Sequence, residues 1–244
     1  MKVKQLMLVV AAFLSIILTF GVVACDDSEN EVDHSSSPTI ETSAMDTEIN
    51  FPDPGLQSAI RKAVGKPEIY ASDLAELAAL GAPDMNISDL TGIEYCINLT
   101  ILILGNNQIS DLSPLASLTN LFMLDLTNNQ IGDLSPLADL KNLTALSLEC
   151  NKITDITPLS SLTKLTSLGL NSRPGSNEIR DISPLASLKG LRDVSLWNNQ
   201  ISDASPLLSL PNLEKVFVLE GNPLESTSLE VIIPQLEEKG VVVF

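Results

Sequence analysis

Residues 99–120 read LTILILGNNQISDLSPLASLTN, and the chain repeats this pattern several times. Residues 121–142 read LFMLDLTNNQIGDLSPLADLKN, and residues 143–164 read LTALSLECNKITDITPLSSLTK. Successive copies are spaced 22, 22, 22, 26 and 22 residues apart, beginning at Leu99, Leu121, Leu143, Leu165, Leu191 and Leu213. Self-similarity at such a period indicates a solenoid in which each copy forms one coil.

The first half of each copy predicts a short strand followed by a turn. Leu102 and Leu104 lie two residues apart, so both side chains point to one face of a strand. Asn107 follows, at a position that is asparagine in every coil, where a stacked amide can bond the backbone of neighbouring coils. This predicts a ladder of Asn107, Asn129, Asn151, Asn177, Asn199 and Asn222.

The second half of each copy predicts a helical turn on the opposite side of the coil. Ser113 precedes Pro114, and serine is a good helix N-cap while proline suits the first helical position. An aspartate stands two residues before this serine, and we expect it to accept N–H groups of the turn. A row of carboxylates could alternatively bind calcium. The row comprises Asp89, Asp111, Asp133, Asp155, Asp181 and Asp203.

The sequences that flank the repeats predict caps, which a solenoid requires at its ends. Leu56, Ile60 and Val64 form the apolar stripe of an amphipathic helix in FPDPGLQSAIRKAVGK. At the other end, SLEVIIPQLEEKGVVVF predicts a helix, a glycine turn and a closing strand. We therefore assign residues 51–98 to a helical cap with a degenerate first repeat, 99–212 to five repeats, and 213–244 to the last strand and carboxy-terminal cap.

The repeat resembles the 22-residue leucine-rich repeats of the internalin family, and the helical front segment is similar to the cap of those domains. The resemblance covers about residues 51–244. It implies an α/β solenoid with a curved parallel β-sheet on the concave side, short 3-10 or helical turns on the convex side and a helical amino-terminal cap. It also implies a binding protein, although the same coil serves many partners.

Residues 1–24 have the features of a signal peptide, with Lys2 and Lys4 ahead of an apolar run. An uncleaved membrane anchor is the alternative. The segment VVAC ending at Cys25 resembles a bacterial lipobox, which implies lipidation of Cys25 and cleavage before it. Residues 25–50 are polar and acidic, and we expect a disordered tether. The expected location is therefore the bacterial cell envelope, lipid-anchored and outside the cytoplasm.

The composition argues against several classes of function. A net charge of -17 makes nucleic acid an unattractive partner, because phosphates are anionic. The only histidine is His34, so no Ser–His or Cys–His catalytic arrangement is expected in the repeats. We expect neither enzyme activity, cofactor nor metal site, and we expect a monomer. Cys96 falls at an apolar core position, and Cys150 is predicted to be a free, half-exposed thiol.

Function is expected to lie in the residues that point out of the concave sheet between the inward leucines. Trp197, Phe217 and Leu219 form a predicted exposed patch with Arg192 at its edge, a composition typical of a binding hot spot. The alternative is that these large residues only pack against each other. The candidate ligand-binding residues of the face are Trp197, Phe217, Leu219, Arg192, Asp193, Phe122, Met123, Asp125 and Glu149.

The fourth repeat carries four extra residues within NSRPGSNE, which predict a loop at the edge of the sheet with Arg173 and Pro174 in it. The loop is either functional or simply a drifted insertion. We expect the protein to bind a protein partner through its concave face, as an adhesin or an envelope interaction module. The alternative is that it binds a glycan or an envelope polymer, which the aromatic and carboxylate side chains would also allow.

Overall fold

The computed structural model describes residues 46–173 and 175–244. The predicted signal peptide, the lipidation site Cys25, most of the predicted tether and Pro174 lie outside the described residues. Within the described residues, no helix is long and apolar enough to span a bilayer.

Eight strands in the described residues form one parallel sheet in chain order, with each coil adding one strand beside the previous one. The register aligns equivalent repeat positions, so that Leu102 pairs with Leu124 and Leu124 with Leu146. The strands are β1 Ala79–Gly81, β2 Ile101–Ile103, β3 Met123–Asp125, β4 Ala145–Ser147, β5 Ser167–Gly169, β6 Asp193–Ser195, β7 Lys215–Phe217 and β8 Val242–Val243. This confirms the predicted leucine-rich-repeat solenoid.

The core is a continuous stack of aliphatic side chains between the sheet and the turns on its opposite side. Leu102, Leu104, Ile109, Leu115 and Leu118 of the first coil are all fully buried. The 3-10 turns that close the coils are Ile93–Tyr95, Ser113–Leu115, Ser135–Leu137, Thr157–Ser161, Ser183–Ser187 and Ser205–Ser209. Each coil covers its neighbour, so burial depends on stacking rather than on any single coil.

The predicted asparagine ladder is confirmed. The Asn107 amide donates to the carbonyl of Ala82 in the preceding coil and of Leu104 in its own, both at 2.9 Å. Its Oδ1 accepts from the backbone N–H of Ile87 at 2.9 Å. Asn151 bonds in the same way to Leu126 and Ile131. These bonds satisfy buried backbone groups that have no partner in the sheet.

The turns are capped differently from the prediction that serine is their N-cap. Ser113 is already inside its 3-10 turn, and the cap position, Leu112, makes no side-chain bond. Asp111 takes the capping role instead, because its Oδ1 accepts from both the backbone N–H and the hydroxyl of Ser113. The other aspartates of the row bond their turns equivalently, which confirms the structural interpretation of the row.

The amino-terminal cap is larger than the sequence suggested. Helix α1 (Pro54–Val64) forms as predicted and buries Leu56 and Ile60. The packed structure begins before residue 51, because Ile49 is buried and donates its N–H to Ile69 at 2.8 Å. Residues 46–50 therefore belong to the cap rather than to the tether to which we assigned them. Helix α2 (Ala71–Ala75) and strand β1 follow.

Asp53 joins helix α1 to the degenerate first repeat. One carboxylate oxygen caps α1 by accepting from the backbone N–H groups of Gly55 and Leu56, and the other accepts from Ser88. Although burial opposes ionisation, these hydrogen bonds outweigh it and lower the pKa of Asp53.

The carboxy-terminal cap follows the predicted order of helix, glycine turn and strand. A π-helical turn, Ser228–Ile232, leads into helix α3 (Ile233–Glu238). Gly240 has a φ of 87°, a left-handed conformation that suits glycine, and returns the chain to β8. Ile232, Ile233 and Leu236 cover the last coil.

Candidate binding face

The side chains that leave the sheet on its solvent side form columns, which we call the concave face. In each of the three-residue strands β1 to β7 the central residue is buried, and the residues on either side of it lie on the opposite face of the sheet. The first column is Ala79, Ile101, Met123, Ala145, Ser167, Asp193, Lys215 and Val242, and the second is Gly81, Ile103, Asp125, Ser147, Gly169, Ser195 and Phe217. We refer to strands β2–β4 with Glu149 as the front half, and to β6–β8 with Trp197 and Leu219 as the rear half.

The front half carries apolar side chains that reach solvent, but one of them, Met123, is less exposed than expected. Phe122 is 38% exposed and Ile101 and Ile103 are partly exposed. Met123 is only 8% exposed, so the expectation of an open methionine was wrong. It is not part of the core cluster. Ile101 and Ala145 flank it on the neighbouring strands, about 4.8 Å away on each side, which narrows its access to solvent.

Two carboxylates lie beside these apolar residues. The backbone N–H of Thr127 donates to Asp125 Oδ1 and the Thr127 hydroxyl donates to Glu149 Oε2, both at 2.9 Å. Thr127 therefore holds both acids in defined positions. Removal from water raises the pKa of Glu149 above its ordinary value of 4.5, and the nearby charge of Asp125 adds to the rise.

Glycine makes the position of Glu149 possible. A Cβ on Gly169 would lie 2.0 Å from Glu149 Oε1, so the carboxylate lies across the Gly169 backbone, where another residue would have a side chain. Glu149 belongs to the column that follows the strands, yet its carboxylate reaches over the next strand, β5. Sequence position alone could not show this.

The rear half is aromatic, but its aromatic residues are engaged with the protein itself. Trp197 is partly exposed, so it faces solvent less fully than the sequence suggested. Phe217 stacks on Phe244 with ring centroids 4.4 Å apart and planes at 10°. Leu219 is 38% exposed, as expected for a surface residue. Phe244, which follows β8, thus covers part of the patch that was predicted to bind a ligand.

The charged residues of the rear half are paired. Arg192 is exposed and bonds Glu214 at 2.6 Å. Asp193 lies 3.7 Å from Lys215 on the next strand. These are cross-strand pairs of neighbouring coils, and they leave the rear half locally balanced in charge.

The insertion of the fourth repeat forms an edge loop without breaking the solenoid. Arg173 is exposed, and Asn177, just beyond the loop, still enters the asparagine ladder. An open cavity lies beside the loop and is lined by Arg173, Gly175, Asn177, Glu178, Asn198, Asn199, Gln200 and Gly221.

The two cysteines of the repeats behave as predicted. Cys96 is fully buried, and burial raises the pKa of its thiol to about 12. Cys150 is a partly exposed free thiol whose pKa is also raised, chiefly by burial. Its φ of 54° places it in the left-handed position that Asn106, Asn128 and Asn198 occupy in other coils. A reactive cysteine needs a lowered thiol pKa, so the raised pKa of Cys96 and of Cys150 argues against an activated nucleophile at either position.

The sequence analysis missed a second ladder of asparagine amides, which lies between the 3-10 turn of one coil and the strand that follows it. Each of these asparagines donates to a backbone carbonyl of the preceding coil at 2.8–2.9 Å, and they are Asn98, Asn120, Asn142 and Asn212. The signal was present, since asparagine recurs directly before the first leucine of most copies.

Comparison with known proteins supports the repeat. Residues 97–139, 119–161 and 141–187 match the family model described as leucine-rich repeats (two copies). No curated protein sequence matches significantly.

Solved structures extend the likeness. An internalin of Listeria monocytogenes is 32% identical with a TM-score of 0.72, over 80% of this chain and 56% of that one. This chain therefore spans just over half the length of that internalin. A leucine-rich-repeat protein of Leptospira interrogans is 28% identical with a TM-score of 0.55, over 62% of this chain and 38% of that one. The functional domain of a second Listeria internalin, InlJ, is 24% identical with a TM-score of 0.59, over 80% and 45%, and shares the fold. The chain is a leucine-rich-repeat solenoid whose structure is similar to those of the Listeria internalins.

Proposed function

We propose that this chain is an exported, lipid-anchored protein that binds a protein partner through the concave face, either as an adhesin or as an interaction module of the cell envelope. The observation that carries the proposal is the row of apolar side chains on the solvent side of the sheet. Phe122 and Leu219 are each 38% exposed, and Ile101, Ile103 and Trp197 are partly exposed. Burial of such residues against a partner is a main source of binding energy.

The test is a cross-linking pull-down from envelope and host-cell extracts with the purified protein as bait. A captured partner should bind the double variant Trp197→Ala with Phe217→Ala at least about tenfold more weakly, since aromatic residues are frequent hot spots. The matched control is Tyr95→Ala, which removes an exposed aromatic side chain outside the concave columns. A partner that binds all three proteins equally contradicts the use of the rear half.

The anchor is a separate part of the proposal and rests on the sequence around Cys25. Lipidation would hold the binding surface at a membrane, because two or three acyl chains give firm anchoring. In a bacterial expression host, Cys25→Ala should shift the protein from the membrane pellet to the soluble fraction and abolish its labelling by radioactive palmitate. Unchanged labelling would exclude Cys25 as the modified residue.

The role that we propose is binding without catalysis. The single histidine of the sequence, His34, lies before the repeats and outside the described residues. Within the described residues, no group of three or more histidine, cysteine or acidic side chains is placed to hold a metal ion.

Glycan or envelope-polymer binding is a second candidate, favoured by one observation. The cavity beside the insertion loop is lined by four Asn and Gln side chains and by Arg173, among other residues. Such side chains can donate hydrogen bonds to sugar hydroxyls and, in the case of the amides, accept them. A glycan array separates the candidates. A hit that is lost in Arg173→Ala and Asn198→Ala, but kept in the Trp197 and Phe217 variants, would favour the glycan.

A further inference from the structure

The charges on the two halves of the concave face are balanced differently. In the rear half, Arg192 pairs with Glu214, and Lys215 lies 3.7 Å from Asp193. In the front half, Asp125 and Glu149 take part in no ion pair with the described residues. Among the described residues, the two acids of the front half therefore have no counter-charge, unlike the acids of the rear half.

The two front carboxylates are oriented rather than free. Thr127 bonds Asp125 Oδ1 through its backbone N–H and Glu149 Oε2 through its hydroxyl. Among the described residues, Asp125 Oδ2 accepts no hydrogen bond, and on the side of the preceding coil it lies near Gly105, where an added Cβ would be 3.4 Å away. A carboxylate fixed by neighbours, with one oxygen open, has already lost the side-chain freedom that binding would otherwise cost.

Glu149 is the less solvated of the two acids. It lies flat across Gly169, and withdrawal from water raises the pKa of its carboxyl group. A charge that is poorly hydrated and lacks a counter-ion gains more from a partner cation than a fully hydrated one does.

Apolar side chains lie directly beside these acids. Ile103 is paired in register with Asp125, so their Cα atoms are about 5 Å apart on neighbouring strands. Ile101 stands two residues before Ile103 on the same face, next to the largely covered Met123. The front half thus offers an apolar strip and two carboxylates within the reach of one short segment of a partner.

We propose that the front half of the concave face binds a segment of the protein partner in which a lysine or arginine stands beside aliphatic residues, the cation between Asp125 and Glu149 and the aliphatic groups over Ile101 and Ile103. The net charge of -17 supports a basic partner, since it draws cationic surfaces in and repels acidic ones. The proposal rests on the proposed function, because it names the chemistry of the partner at the same face.

The test uses a phage-displayed library of random 12-residue peptides, panned on the purified protein. The enriched peptides should carry lysine or arginine next to leucine, isoleucine, valine or methionine. Their affinity should fall about tenfold or more in the double variant Asp125→Asn with Glu149→Gln, as for the loss of a close interfacial charge pair. Asp139→Asn with Glu238→Gln is the matched control, since it removes the same charge at exposed positions off the face and should leave affinity unchanged.

A second measurement does not depend on the variants folding. Replacing the basic residue of an enriched peptide by glutamine should weaken its binding to the unmodified protein by about tenfold. Raising the salt concentration should weaken the parent peptide more than the glutamine peptide.

The outcomes separate this inference from the proposed function. Two face variants, Ala145→Trp and Trp197→Ala with Phe217→Ala, report on whether a peptide binds the concave face at all. Peptides that lose affinity in either face variant, but bind without a basic residue and tolerate the Asp125 and Glu149 changes, overturn the inference and leave the proposed function standing. Peptides that no face variant affects overturn both.

Discussion

The front and rear halves of the concave face are built on the same coil but differ in how far the chain satisfies its own side chains. In the rear half Phe217 stacks on Phe244, and the charges of Arg192 and Asp193 are paired. In the front half, the carboxylates of Asp125 and Glu149 bond, among the described residues, only to Thr127 and to the backbone of Glu149, and Ile103 remains partly exposed. The backbone register is the same in both halves, so the difference comes entirely from the non-periodic residues.

The comparison shows that large surface residues in a solenoid are not equivalent evidence for binding. Phe217 already contacts Phe244, and Trp197 is only partly exposed, so both rings are less open to solvent than their position in the repeat suggests. The front carboxylates are held in place by the fold but lack a counter-charge. An incomplete set of interactions is the better indication of a missing partner.

The largest effect is expected where the coil stack that carries both halves is broken. Asn151→Ala removes a 1% exposed amide in the third coil that bonds Leu126, Ile131 and Leu148. Leaving these buried groups unpaired should lower the free energy of unfolding by about 3 kcal/mol or more. Urea denaturation measures the change. Asn142→Ala removes two hydrogen bonds that are both exposed, one to the Thr119 carbonyl and one from Lys164, and should cost under about 1 kcal/mol; equal costs would contradict the role of the buried ladder.

A smaller decrease in the free energy of unfolding is expected from substitutions on the concave face, and it should be larger for the aromatic residues of the rear half than for the aliphatic residues of the front half. Phe217→Ala removes a partly buried ring and its stack on Phe244, and should cost about 2 kcal/mol of unfolding free energy. Ile103→Ala should cost less than about 1 kcal/mol, because that side chain remains partly exposed. Thermal unfolding of the two variants gives the difference, and the reverse order would refute the self-packed rear half.

Glu149, the partly buried acid of the front half, should make the fold slightly less stable near neutral pH. The pKa of Glu149 is raised in the folded state, so its ionisation costs nothing below the unfolded value of 4.5. The cost appears as the pH rises from 4.5 through the folded pKa. Glu149→Gln should therefore unfold at a higher urea concentration than the parent at pH 7 and at the same concentration at pH 4. Glu238→Gln, at an exposed position, should show no such pH dependence.

The smallest change in stability is expected for Asp111 in the turn opposite the sheet, where substitution should destabilise the fold at neutral pH rather than stabilise it as at Glu149. The pKa of Asp111 is lowered, first by the hydroxyl and then by the backbone N–H of Ser113. Its contribution to stability is therefore present above the unfolded value of 3.8 and is lost as the pH falls through the folded pKa. Asp111→Asn should be less stable than the parent at pH 7 and equally stable at pH 2. A Glu149→Gln profile that parallels this one would show that the two acids have the same environment.

The periodic part of the fold could be predicted because each residue type repeats for one physical reason. The inward leucines, the buried amides of the Asn107 ladder and the prolines of the turns recur at fixed spacing, and all three lie where expected. Strand β1 was missed because Ala79–Gly81 has neither β-branched nor aromatic residues, and only pairing with β2 makes it a strand. The burial of Ile49 was missed for the same kind of reason, because its partner Ile69 lies 20 residues away.

Only part of the candidate site could be predicted from the sequence. The spacing of the leucines predicts which residues point out of the sheet, because side chains alternate along a strand. It does not predict that Phe244 covers Phe217, that Trp197 is partly buried, or that Glu149 leans over Gly169. Those facts depend on contacts between coils, which are set by the three-dimensional stack. Local periodicity therefore specifies the scaffold, and packing between distant residues specifies which of its surface groups are left without a partner.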